Sequence, residues 1–146
     1  MRPRQYLLLA LVLIGAIDGL PARAGGPTDL ACRKSFAVGQ EWSLQSYGGT
    51  TVVIGRVEDW EEQTAIHVSI LNIKGPPGST AAVTMDQVAH APFSCEALKR
   101  SVATLIRTDA SPLSGFETGY ERWQAAKGGV FTIPVTELLD VMLGAP

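Results

Sequence analysis

Apolar and polar residues alternate through the first half of this chain and recur at three- and four-residue spacing through the second. Alternation marks strands, whose side chains point to opposite faces in turn, and the wider spacing marks helices. Residues 41–47 predict a first strand, with Trp42 and Leu44 on one side. Gly48-Gly49 supplies a tight turn, because both glycines accept positive φ. Residues 50–58 are β-branched and aliphatic and predict a second strand. After an acidic turn at 59–63, residues 65–73 predict a third, with Ile66, Val68 and Ile70 facing one way and His67, Ser69 and Leu71 the other. Short links make an antiparallel meander the economical topology.

The pattern then changes. Residues 74–80, rich in Gly and Pro, form a loop. Residues 81–89 read as a further strand or an extended crossing segment, which Pro92 closes. Ser94 offers an N-cap to a helix over 95–107, in which Leu98, Val102, Leu105 and Ile106 share a face. Ser114-Gly115-Phe116-Glu117 fits a capping box that opens a second helix, with Phe116, Tyr120 and Trp123 on one stripe. Gly119 within it costs about 1 kcal/mol against Ala. Gly128-Gly129 ends that helix, and residues 130–133 are a short extended piece. Pro134 starts a third helix carrying Val135, Leu138, Leu139 and Met142. Strands followed by helices give the α+β class: a small antiparallel sheet of three or more strands with two or three helices packed on it.

The N-terminal residues do not belong to that pattern. Arg2 and Arg4 precede an apolar run, residues 7–17, and then Gly19, Pro21 and the small-residue site Ala22-Arg23-Ala24. That is the order of a cleavable secretory signal peptide. The run of 11 residues is short of the roughly 20 a membrane span needs. An uncleaved N-terminal anchor is the alternative, and Asp29 ahead of Cys32 argues against a lipid anchor. The expected organisation is a signal peptide at 1–24, a flexible lead-in at 25–35 and one globular domain at 36–146, periplasmic or secreted, with no stable membrane insertion after cleavage. The leader removes Arg2, Arg4, Arg23 and Asp18 from the 12 basic and 14 acidic residues, so the mature domain carries a net charge of about −4. A mildly acidic domain without a Lys/Arg cluster argues against nucleic acid or an anionic membrane as partner. Cys32 and Cys95 read as a disulfide in an oxidising compartment, two separate buried thiols being the alternative.

Candidate chemistry is sparse. His67 and His90 lack metal-ligand spacing, and a zinc site would need Asp86 or Glu96 brought in by the fold. The expectation is no metal and no cofactor, with each imidazole bonded to a loop carbonyl or a helix end. Asp86, His90 and Ser94 contain the residue types of a hydrolase triad, but Gly-x-Ser-x-Gly is missing and Ser94 already serves as a cap. Glu58, Asp59, Glu61 and Glu62 surround Trp60 in one turn, where all four carboxylates would be solvated. The functional alternative there is an acidic contact surface, Glu61 and Glu62, with Trp60 as its anchor. The stripe Phe116, Tyr120 and Trp123 reads as core before ligand groove.

Several segments in combination resemble a family of small bacterial proteins that has no assigned activity. They are Val38-Gly39-Gln40-Glu41-Trp42-Ser43, Gly55-Arg56-Val57-Glu58, Ile66-His67-Val68-Ser69, His90-Ala91-Pro92-Phe93-Ser94, Gly119-Tyr120-Glu121-Arg122-Trp123 and Gly128-Gly129-Val130-Phe131-Thr132-Ile133. The resemblance spans about 36–140 and implies bacterial origin and a single domain. It places His67 and His90 among its recurring residues and leaves the two cysteines outside them, as an optional staple of the exported form. The expected function is non-enzymatic binding of a protein or small ligand. One alternative is a hydrolase or metal-assisted enzyme centred on His67 and His90. Another is an immunity-type inhibitor that caps a toxin with the acidic turn.

Overall fold

The computed structural model describes residues 27–75, 78, 83 and 85–144. The signal peptide expected at 1–24 lies outside the described residues, as does most of the segment 76–84. The chain runs α1 (Pro27–Arg33), β1 (Glu41–Leu44), β2 (Thr51–Trp60), β3 (Gln63–Leu71), β4 (Val88–Ser94), α2 (Cys95–Ser101), β5 (Val102–Arg107), α3 (Phe116–Ala125) and α4 (Val135–Met142). The strands form one antiparallel sheet in the order β4-β3-β2-β1-β5, and the fold is α+β as expected. No helix among the described residues is long and apolar enough to cross a membrane.

The two faces of the sheet are used differently. Ile66, Val68 and Ile70 of β3 join Val52 and Ile54 of β2 and Phe93 of β4 in the main core. Helices α1, α2 and α4 close that core with Cys32, Leu98, Val135, Leu138 and Leu139. The opposite face of β3, with His67 and Ser69, is also buried, and α3 lies over it. Both faces of β3, an interior strand of the sheet, are therefore dry, which is why seven of its consecutive residues are buried.

Cys32 and Cys95 form a disulfide with Cα atoms 6.0 Å apart, joining α1 to α2. Helix α1 falls inside the stretch expected as a flexible lead-in. Besides the disulfide, Arg33 pairs with Asp59 and the Thr64 hydroxyl donates to Asp29.

The helix expected over 95–107 is only half helical. Cys95–Ser101 is α2, capped by the Ser94 oxygen, which accepts from the Ala97 N–H at 3.2 Å. The chain then turns into edge strand β5. Ser101 Oγ donates to the Ala97 carbonyl, and the Ser101 and Val102 carbonyls accept from Gln45 just beyond β1. The open side of β1 thus recruits a segment rich in β-branched residues, Val102, Thr104 and Ile106, and a sheet ladder wins over helical spacing.

Pro92 does not close the fourth strand but sits inside it, opposite His67. β4 is an edge strand, where a missing N–H is tolerated. Its outer side is covered by Phe131, whose N–H donates to the Pro92 carbonyl and whose carbonyl accepts from Ser94 N–H, both at 2.9 Å. The capping box expected at Ser114 does not form: Gly115 is the N-cap of α3, in a left-handed conformation, with no side-chain cap. Pro134 is the N-cap of α4, and Met142 at its end is exposed.

A histidine pair beneath helix α3

Two irregularities in the sheet build the site. β2 pairs with β3 through Ile54↔Val68 and then Arg56↔His67, leaving Gly55 without a partner. A bulge of this kind reverses which side chains face which way. Upstream, Ile54 faces the main core; downstream, Arg56 and Glu58 are carried to the opposite face, beside His67. β4 shifts in the same way between Val88↔Ile70 and Ala91↔Val68, which sets His90 next to His67. Ser69 stabilises this second bulge: its buried hydroxyl donates to the Ala89 carbonyl at 2.7 Å and accepts from Leu113 N–H at 2.9 Å, tethering the approach to α3.

Within this frame the imidazoles meet. His67 Nδ1 lies 2.9 Å from His90 Nε2, and the rings stack with centroids 5.1 Å apart. Glu58 Oε1 lies 2.9 Å from His67 Nε2, although the approach is too oblique for a well-formed hydrogen bond. The other Glu58 oxygen accepts from the Tyr120 hydroxyl at 3.1 Å. A carboxylate oxygen at this distance favours an N–H over a lone pair at His67 Nε2, and with the proton there His90 Nε2–H donates to His67 Nδ1. Tyr120 and Trp123 meet the His67 ring edge-on, with centroids at 5.0 and 4.6 Å. Trp60 stacks on Trp123 at 4.2 Å, and its Nε1 is buried with no partner among the described residues. Arg56 lies over the Tyr120 ring at 4.0 Å and is 3.7 Å from Glu117.

The electrostatics favour neutral rings. His67 has no exposed surface. Burial, then the neighbouring His90 and Arg56, push it down to about 3. Burial also lowers His90, with Glu117 acting in the opposite direction. The Tyr120 hydroxyl is raised by burial and by its bond to Glu58.

The cluster depends on glycine at two places. A Cβ on Gly55 would stand 2.5 Å from the Phe116 ring, and one on Gly119 would stand 2.6 Å from His90 Cβ. The helical cost of Gly119 is thus explained by how closely α3 approaches β4. Gly119→Ala is expected to destabilise by about 1–3 kcal/mol, overpacking exceeding the gain in helix propensity. Urea denaturation measures it, and a more stable variant would show that α3 has room to shift.

The structure thus corrects several expectations. Among the described residues the two imidazoles bond to each other and not to loop carbonyls or helix ends. Glu58 is only partly solvated, because the Gly55 bulge aims it inward toward His67. Glu61 and Glu62 are exposed at the β2–β3 turn, but Trp60 packs against Trp123 and is not a free anchor. Ser94 caps α2 and Asp86 accepts from Ile73 N–H through its carbonyl, so the sequence-adjacent triad types serve separate local roles. The stripe Phe116, Tyr120 and Trp123 covers the second sheet face, with Phe116 and Tyr120 buried.

Among the described residues no group of three or more His, Cys, Asp or Glu side chains is arranged to hold a metal. The facing nitrogens of the pair point at one another, whereas ligands would converge on a third point. Chemically, a carboxylate beside one imidazole that is bonded to a second is the order of an oriented base. Here α3 seals its middle member from solvent. No family model matches the chain, and neither a curated protein nor a solved structure matches it.

Proposed function

We propose that the protein is an exported, non-enzymatic binding domain that meets a protein or small-ligand partner through its outer surface, with the histidine cluster as internal architecture. One observation carries this: His67, the hub of the histidine–carboxylate group, is fully buried, and its inward nitrogen is occupied by His90. A Cys32–Cys95 bridge suits an oxidising compartment, which fits the leader pattern. Surfaces available to a partner include edge strand β5, where Leu105 and Ile106 are exposed, and the Glu61–Glu62 turn.

Carbethoxylation by diethylpyrocarbonate tests the sealed state. In the native protein at pH 7, His67 is expected to remain unmodified while a free imidazole reacts to completion, and unfolding should make both histidines reactive. A partner captured by the native protein should be retained by His90→Gln and weakened at least tenfold by Leu105→Asp or Glu61→Lys. Fast modification of both rings in the native state would favour the second reading, a hydrolytic enzyme based on the Glu58–His67–His90 alignment. Loss of capture in His90→Gln alone would do the same.

A further inference from the structure

We infer that α3 is an acid-released latch: it stays closed over the sheet while His67 and His90 hold a single proton between their facing nitrogens, and lifts when both rings become charged. The geometry leaves space for one hydrogen there. At 2.9 Å, His67 Nδ1 and His90 Nε2 bond when one is protonated and collide when both are. The charged groups around the pair are asymmetric. From β2, Arg56 and Glu58 face His67; from β4, His90 does; and from α3, Tyr120 faces both rings while Glu117 acts on His90. Glu58 offsets one positive charge, but it already accepts from Tyr120, and Arg56 adds a like charge to the second. His67 has no exposed surface, so it reaches water only if α3 moves.

Helix α3 is placed to move alone. The main core contains no residue of α3; its buried Phe116 and Tyr120 pack on the other side of the sheet. Lifting it uncovers the face around Gly55, Ala65 and His67 and leaves the disulfide, α1, α2 and α4 in place. Local opening of a segment outside the main core is the low-energy event a folded domain permits. The inference is independent of whether the outer surface binds a partner.

Backbone amide exchange of the mature, disulfide-bonded protein between pH 7.5 and 4.5, corrected for intrinsic rates, tests it. The amides of α3 are expected to lose protection by about tenfold per pH unit below roughly 6.5 for each imidazole that charges on opening. Those of β3 and α4 open only with the whole domain, so they should stay better protected than α3 throughout the range, even as global stability falls with the same protons. His67→Gln with His90→Gln should flatten the α3 profile. If that double variant does not fold, His90→Gln alone, altering a half-buried side chain, should still lower the slope by about one proton. Equal protection of α3 and β3 amides across the range, a pH-independent α3, or an unchanged slope in His90→Gln would each overturn the latch.

Discussion

Replacing both Cys32 and Cys95 by alanine is expected to lower the unfolding free energy by about 4 kcal/mol. The two residues are separated by 63 positions, and closing a loop of that length removes roughly this much chain entropy from the unfolded state. Most domains have only about 5–15 kcal/mol of stability in total, so the variant should remain folded at 25 °C with a much lower urea midpoint. The effect should be uneven. Among the described residues, helix α1 would keep Arg33–Asp59 and Asp29–Thr64 as its side-chain polar ties, the first of them solvent-exposed and weak. Urea denaturation by circular dichroism gives the free energy, and proteolysis near Lys34 reports α1. A loss below about 1 kcal/mol would mean that α1 packing does without the bridge.

Acid should produce the second large effect. His67 has a folded-state value of about 3 against an ordinary value near 6.5. The unfolded chain therefore binds a proton that the folded one refuses, and stability falls as pH drops below about 6.5, levelling off near 3. Between pH 7 and pH 4 the loss from this one group is on the order of 3 kcal/mol. His90 is lowered too and adds in the same direction. Carboxylates titrate in the lower part of this range, so the informative quantity is the difference in slope between wild type and His67→Gln. The variant is expected to be less stable at pH 7 yet flatter down to pH 5. Parallel slopes would place His67 in contact with water.

The meander was legible because alternation in β1, β2 and β3 is a local property of the chain. β5 was not, because Leu98, Val102, Leu105 and Ile106 satisfy helical spacing equally well. What decided it was the unpaired side of β1, a feature that exists only after folding. Pro92 misled in a similar way, since its place on an edge strand depends on which strand ends the sheet. The disulfide followed from having two cysteines in a chain with an export pattern. At the site, His67 and the aromatic stripe were visible as residues, but their meeting was not. It depends on the Gly55 and Ala89–His90 bulges, which turn Glu58 and His90 toward one another across β3. One sign was available: an isolated glycine in a β-branched run often marks a bulge. Gly119 was another, an unfavourable helical residue whose reason lies on a neighbouring strand.

His67 and His90 form one neutral hydrogen-bonded pair, shut in by α3. Long-range 1H–15N spectroscopy of the 15N-histidine-labelled protein tests it most directly. The expected spectrum at pH 7 has two neutral imidazoles, a slowly exchanging N–H between them, and no titration of His67 above pH 5. A His67 ring that titrates near 6.5, with ring protons exchanging freely with water, would contradict it.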